Sequence, residues 1–566
     1  MGDVLEYLVD GTSGLAPGGV DGKAMVAGVC SKGQVGKAYL IGSRSDLAVL
    51  LGVGPLVDKL RDVLATAGQD AVVVAVPVRG QQSGYISAPV WSGGNGVYPS
   101  ISVSGVPKKN ADVVVEVVAA GQVGTATVKV STDGGATFGS PETAAAQLPI
   151  GKSAEATGAT LLLSENASLE EGQRIRFLVR CAVGPVERVG DASSPLITVT
   201  GDVLAGAELS IRITKDGDRN GGTYQLSVDG GDTYGKVRTI PVDGTVATDL
   251  GVTISFPIGD YVGGTIYSCR LLPPEASIVD VMAALESPLS VHDVEFVYIA
   301  APSDSVDWSA LSVKADELWN LHRPTYFKCE TRLPRDDEDL NDFAAYLLAE
   351  KQDFASRFVQ VCCQFGEVVD TTGLSKLRNW GGLQAGRVVS IPVQRATGRV
   401  RDGNISQGTL HDGWETVQPT LEDAGYLTAK KYAGLSGAYW GDSRTMADAT
   451  SDFRYEEVLR VVFKAVRKMR IAALKSMYDD LDPVLPDSDT GLGYLKANIA
   501  GALDTMVAAV PKELAGYSIS IPSKQDYVNN GVAVEARLIG IGIIREIKLY
   551  ASYAYAGTRG DTRLEG

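Results

Sequence analysis

Hydrophobic and polar positions divide the chain into three textures. Up to about residue 90, apolar runs alternate with helical spacing. MVAGV and AYLIG read as strands, and DLAVLLG followed by PLVDKLRDVLATAG reads as helical, with Leu56, Leu60, Val63 and Leu64 on one face. AVVVAV (71–76) is a short continuous apolar run of the kind a sheet buries on both faces. From about 90 to 275 the pattern changes to short alternating segments between glycine-rich turns, with no helical period. From about 276, VEFVYIA, PTYFKCE and RFVQVCC read as strands, with DWSALSVKADELWNL and DDEDLNDFAAYLLAEKQ as helices between them. That β-α-β-α-β order predicts a parallel, doubly wound sheet. The middle block is then an insertion, and residues 1–90 and 276 onward form one discontinuous core.

The middle block repeats itself. STDGGATF (131–138) returns as SVDGGDTY (227–234), 96 positions on, and ISVSG/ITVTG, ADVVVEVV/AELSIRIT and TVKV/TYQL keep the same offset. Two tandem β-sandwich-like domains are the simplest account. The pattern S-x-D-x-G-x-T-aromatic resembles the Asp-box hairpin of sialidases. In such a hairpin Asp133, Gly135, Asp229 and Gly231 shape tight turns, while Phe138 and Tyr234 pack beneath them. A propeller needs four or more copies at a spacing of about 40–50 residues. Two copies 96 apart do not fit one, and the motif reads as scaffolding.

Near the C-terminus, DFRYEEVLRVVFKAVRKMRIAALKSMY predicts a long helix with Asp452 available as its cap. Val458, Leu459, Val462, Phe463, Val466, Met469 and Ala473 form its apolar stripe, and Arg460, Lys464, Arg467, Lys468 and Lys475 crowd elsewhere on it. The closing stretch VAVEARLIGIGIIREIKLYASYAYA alternates in two phases. Val532, Val534, Ala536 and Leu538 give one strand; Ile541, Ile543, Ile547 and Leu549 give another, with Glu546 and Lys548 facing away.

Composition narrows the function. A length of 566 residues implies several domains, and 45% hydrophobic with 21% charged residues is the balance of a folded chain. A net charge of −16 argues against nucleic-acid binding, which needs a basic surface. The six cysteines lack metal or disulfide spacing and read as buried thiols of a chain folded in a reducing cytosol. The N-terminus has no signal-peptide texture, and no run reaches the roughly 18 apolar residues of a membrane span. His292, His322 and His411 lie far apart, without the spacing of a metal or catalytic motif. In GVCSKGQVGKAY, Lys37 follows the wrong glycine for a phosphate loop and precedes Ala38 instead of a hydroxyl. The acidic run RDDEDLND (335–342) reads as a helix start favoured by the macrodipole. No catalytic residue, metal site or cofactor is expected.

The stretch GVCSKGQVGKAYLIGSRSDLAVLLGVGPLVDKLRDVLATAGQDAVVVAVPV resembles the N-terminal region of the contractile tail sheath proteins of bacteriophages. Gly28, Gly33, Ser43 or Ser45, Asp46, Leu47, Gly54 and Pro55 follow in the family's order, with Leu51 standing where an aromatic is usual. Residues 294–364 are similar to the family's central α/β region. YAGLSGAYWGDSRTMAD and the sequence beyond it resemble its C-terminal domain. The resemblance implies an N-terminal arm (1–22), core segments at 23–90 and 276–400, and β insertions at 91–190 and 191–275. It further implies a C-terminal sheath domain (401–542) and a C-terminal arm strand (543–566). It implies a structural subunit, not an enzyme, that stacks as rings of its own copies around an inner tail tube and contracts to drive the tube through a host envelope. Leu5 and Val9, with Ile543, Ile547, Leu549, Tyr550 and Tyr553, would lend strands to neighbouring subunits. Arg460, Lys464, Arg467 and Lys468 would face the tube. Baseplate and tail terminator proteins would be further partners, with no nucleic acid and no membrane insertion. The location would be a phage tail or phage-derived device assembled in the bacterial cytoplasm. The alternative is a glycan-binding or glycan-processing surface protein that works through the two Asp-box domains.

Overall fold

In the computed structural model the described residues are 20–152, 155–369, 373–480, 491–522, 525–527 and 529–556. The chain forms two compact units, Met1–Lys468 and Met469–Gly566.

The first unit is organised by a six-stranded sheet drawn from both sides of the insertion. Its strands are β1 (Ala24–Val29), β2 (Tyr39–Gly42), β3 (Val72–Val78), β4 (Phe296–Pro302), β5 (Tyr326–Glu330) and β6 (Val359–Cys362), in the spatial order β2-β3-β1-β4-β5-β6. All neighbours are parallel except the edge pair β2–β3. The pairing Ala24↔Phe296 through Gly28↔Ala300 joins the two halves of the sequence into one core. β1, β5 and β6 are buried at every position, because helices cover both faces of a parallel sheet.

The helices that matter below are α1 (Pro55–Ala67), α2 (Ile278–Val291), α3 (Ser305–Asn320), α4 (Leu340–Lys351), α5 (Gly381–Ser390) and α6 (Glu456–Leu474). The acidic run at 335–342 supplies the start of α4: Asp339 caps it, and Asp342 completes a capping box. α1 and α5 touch through glycines. A Cβ on Gly386 would lie 2.1 Å from the Val63 carbonyl oxygen and 2.2 Å from Thr66 Oγ1. Gly386→Ala is therefore expected to destabilise the core by about 1–2 kcal/mol, because overpacking outweighs alanine's helix preference of about 1 kcal/mol. Urea unfolding followed by tryptophan fluorescence checks this; unchanged stability would mean the helices can part freely.

Two β domains are inserted between β3 and α2. In each, a larger antiparallel sheet faces a three-stranded one over its own core, with Val113, Val115 and Phe177 in the first and Leu209, Ile211 and Tyr267 in the second. Corresponding strands keep the repeat: Ala111–Ala119 matches Ala207–Lys215, and Thr127–Ser131 matches Thr223–Ser227. The boundaries differ from those expected. Gly84–Ile86 pairs with Arg174–Cys181, so the first domain begins before residue 91. Glu187–Val189 pairs with Ile266–Leu271 and belongs to the second domain, ahead of residue 191. Three-residue edge strands carry too little alternation to be read in sequence. The expected division at 400/401 is also crossed, because Gly408–Leu410 pairs with Phe365–Val369.

The insertion is closed at its stalk. Gln81 and Glu275 exchange backbone hydrogen bonds of 2.8 and 3.0 Å. Asp336 of the core receives Arg270 of the second β domain at 2.7 Å and Arg180 of the first at 3.4 Å, and its amide donates to Tyr85 Oη at 3.2 Å.

The second unit contains α7 (Leu492–Val507) and an antiparallel hairpin of Gly516–Ser520 with Glu535–Ile539. The strand expected over 532–538 is thus displaced to 535–539. The strand expected from Ile543 onward does not form: residues 540–555 have no strand assignment. Its pattern lacks a partner strand among the described residues of its own chain.

Candidate functional site

Along residues 543–555, which join no sheet among the described residues, large apolar side chains stand in solvent. Ile547 is 72% exposed, Leu549 89%, Tyr550 91% and Tyr553 82%, and Ile543 is half-buried. In an extended chain, alternation sets Ile543, Ile547, Leu549 and Tyr553 on one side and Tyr550 on the other. An extended stretch with this alternation has one apolar side. The other arm residues, Leu5 and Val9, lie outside the described residues.

The basic residues of α6 point elsewhere than expected. Arg460 is 2% exposed and binds Glu295 at 2.5 Å inside the core. Lys464 pairs with Asp21 at 2.6 Å, and Arg467 donates to the Val294 carbonyl at 3.0 Å. A tube-facing role is thereby corrected for these three; Lys468 is half-buried. Periodicity identified a charged stripe, but a stripe can be neutralised by buried carboxylates as well as by water. The helix also starts later than expected. Thr445 accepts no solvent-side role here: its amide donates to the Arg454 carbonyl at 2.8 Å, and Glu456 N donates to Ser443 O at 2.9 Å. That antiparallel return holds the chain extended, so Asp452 is not the cap and α6 begins at Glu456.

Sequence reasoning missed the carboxylates themselves. On β5, Tyr326, Lys328 and Glu330 share one face under α1, α5 and α6. Lys328 is ion-paired with Glu456 and donates to Gln384 at 2.7 Å. Tyr326 Oη donates to Glu456 at 2.8 Å. Glu330 takes Lys59 at 2.6 Å and Tyr298 Oη at 2.7 Å. Burial alone would raise the Glu456 carboxyl, but the Lys328 ammonium and the Arg460 guanidinium outweigh it and hold it at about 2. Asp62 behaves oppositely, with burial lifting it to about 6 despite Arg378 and Lys59. The visible signal was a lysine and a glutamate inside the otherwise apolar strand YFKCE.

The Asp boxes are self-contained turns. Asp133 accepts from Ser131 Oγ (2.6 Å), Thr137 N (2.9 Å) and Thr137 Oγ1 (2.5 Å), and Asp229 repeats this with Ser227 and Thr233. Gly135 and Gly231 have φ of 96° and 106°, a region that favours glycine, and each donates its amide to the motif's serine. Hydrogen bonds from Ser131 and Thr137 hold the Asp133 carboxyl at about 2. The aromatics carry cations: Lys129 lies 4.5 Å from the Phe138 ring centroid and Arg212 4.2 Å from that of Tyr234. Asp133→Ala and Asp229→Ala are expected to lower the melting temperature of their own β domain while the core transition stays in place. Calorimetry of each variant checks this, and a shifted core transition would refute it.

A doubly wound sheet offers ligands a crevice at the carboxyl ends of its strands. Here the chain packs that end of β1. A Cβ on Gly54 would lie 2.9 Å from Val29 O and 3.2 Å from Leu204 O of the second β domain, and one on Gly80 would lie 2.4 Å from Val29 Cγ1. Gly36 N of the loop after β1 donates to Pro77 O at 2.9 Å. Among the described residues, no group of His, Cys, Asp and Glu could hold a metal ion, and no helix is long and apolar enough to cross a membrane. All six cysteines are free thiols.

These features define a class: a discontinuous α/β core on a largely parallel sheet, with tandem β domains inserted after β3, and a further unit whose last described residues form an amphipathic segment outside any sheet. The chain belongs to the family described as DUF2586, whose N-terminal domain matches residues 1–444 and whose C-terminal domain matches residues 452–558. Among solved structures it is similar to the sheath tail protein of Desulfitobacterium hafniense, with 10% identity and a TM-score of 0.41 over 95% of this chain and 100% of that one. It is similar to the sheath tail protein of Listeria innocua at 7% identity and a TM-score of 0.39, over 93% and 96% of the two chains. The contracted helical sheath of the anti-feeding prophage matches at 19% identity and a TM-score of 0.35, over 52% and 79%. Likenesses at these scores carry no inference about partners or activity. No curated protein matches the chain.

Proposed function

We propose that the chain is the subunit of a contractile tail sheath, polymerising with its own copies around an inner tube by exchanging terminal strands. The observation that carries this reading is the exposed alternation of apolar side chains from Ile547 to Tyr553, outside any sheet among the described residues. The hairpin of the same unit supports it: two strands alone are marginal in water, and strands lent by neighbours would extend it. Leu5 and Val9 belong to the second proposed arm. The subunit's place is a tail-like particle in which tube, baseplate and terminator proteins are its partners. Beyond Lys468, Arg470, Ile471 and Leu474 are the exposed positions of α6 and take over the proposed tube contact. Contraction is a cooperative rearrangement of the lattice with the arms as hinges, and it requires no cofactor.

Negative-stain electron microscopy of the full-length protein at moderate salt tests the proposal. Hollow ridged cylinders or stacked rings, with outer knobs from the β domains, are expected. Uniform monomers that stay single when a tube and baseplate are supplied would overturn it.

A further inference from the structure

The root of the N-terminal segment and the first half of α6 meet at one cluster of charges. Gly22 N donates to Glu295 Oε2 at 2.5 Å, and the other oxygen of that buried carboxylate takes Arg460 Nε at 2.5 Å. One turn along α6, Asp21 takes Lys464 at 2.6 Å; a turn beyond, Arg467 binds the carbonyls of Val294 and Pro324. The spacing 460, 464, 467 sets three cations on one helix face, and that face meets residues 21–22 and 294–295. Arg460 also donates to Val388 O (3.2 Å) and Ile391 O (3.4 Å), where the end of α5 favours a cation. Glu295 N in turn holds Lys23 O at 2.9 Å. Residues 1–19 join the chain immediately upstream of this cluster, and α6 runs on from it to Leu474.

We propose that the cluster is a mechanical clamp: it ties the root of the N-terminal arm to the helix that leads toward the C-terminal arm, so that a pull on one is delivered to the other without crossing the sheet. A packed core alone would not need this arrangement, because α6 is already held by Leu459 and Phe463. What the clamp adds is a short path of charged contacts between two segments that are far apart in sequence. Its use in a sheath rests on the arm reading above, but the clamp itself is a property of a single chain.

The test holds the full chain at constant force by handles at residues 1 and 480. Lys464→Ala breaks the half-exposed pair and is expected to shorten the time to the first extension step about 5-fold. Glu295→Gln leaves Arg460 buried without its counter-ion and is expected to shorten it about 100-fold. The charge exchange Asp21→Lys with Lys464→Asp is expected to restore most of the wild-type lifetime, and it decides the matter if Glu295→Gln fails to fold. Unchanged lifetimes for Lys464→Ala, or no rescue by the exchange, would overturn the clamp. In assembled sheaths Lys464→Ala is expected to part between rings on contraction, and intact contracted sheaths would remove the clamp's role there. If the wild type never assembles, the arm reading fails while the lifetimes still decide the clamp.

Discussion

A chain ending at Gly542 is expected to fold, stay monomeric and form no helical assemblies. The described residues among those removed, 543–556, add no strand to any sheet, and Ile547, Leu549, Tyr550 and Tyr553 bury little. Their loss should leave the core's unfolding within about 0.5 kcal/mol of wild type, as for surface changes generally. If terminal strands are exchanged as proposed, assembly should vanish, because strand addition would supply both the ladder and the apolar contact between copies. Ile547→Asp with Leu549→Asp should do the same without shortening the chain, by placing charges on the face that must be buried. Electron microscopy with sedimentation gives the readout. Long helical assemblies from the truncated chain would sink the strand-exchange reading.

Glu456→Gln is expected to cost the core about 3–5 kcal/mol, a large share of the roughly 5–15 kcal/mol that holds a domain together. The substitution keeps the shape but leaves the Lys328 ammonium, 4% exposed, without its counter-ion. Linkage gives a similar size: holding a carboxyl at about 2 instead of its ordinary 4.5 is worth about 3 kcal/mol. Because the folded value is the lower one, this stability is fully present above pH 4.5. It is lost as the pH falls from there through about 2, so the acid limb should flatten in the variant. Lys328→Met combined with Glu456→Leu should recover part of the loss: no buried charge is left without a counter-ion, but Tyr326 Oη and Ser443 Oγ lose their acceptor. Tryptophan fluorescence in urea reads the core, because Trp308, Trp319, Trp380, Trp414 and Trp440 all lie in it and only Trp91 does not. Equal stability of Glu456→Gln and wild type across pH 3–7 would show that the pair is screened by water.

The discontinuous core was legible because parallel strands buried on both faces leave continuous apolar runs, and AVVVAV (71–76) and FVYIAA (296–301) are such runs. The tandem repeat was legible because its glycines and its Ser-Asp-Thr turn are demanded by local geometry. The ion pairs beneath α6 were not. Periodicity treats a charge as solvent-facing, and nothing local to Arg460 announces that Glu295 lies beneath it. Edge strands such as Glu187–Val189 escaped for another reason: their partners are distant in sequence, and three residues hold hardly one period. The terminal segment was half legible. Its alternation predicts a strand, while no strand among the described residues pairs with it.

The closed stalk at Gln81 and Glu275 also sets an order of events during synthesis. β1 and β3 leave the ribosome while β4, the partner of β1, is still about 200 residues from being made. At 5–20 residues per second that is a wait of about 10–40 s with one flank of β1 unsatisfied. Once the β domains fold, the stalk brings both ends of the insertion together, and the loop that β1 and β4 must close shrinks to about 70 residues. The entropy saved is about 1 kcal/mol. The inserted pair thus acts as an internal guide for the nascent core, and a variant that cannot close its stalk should accumulate as aggregate before its core is complete.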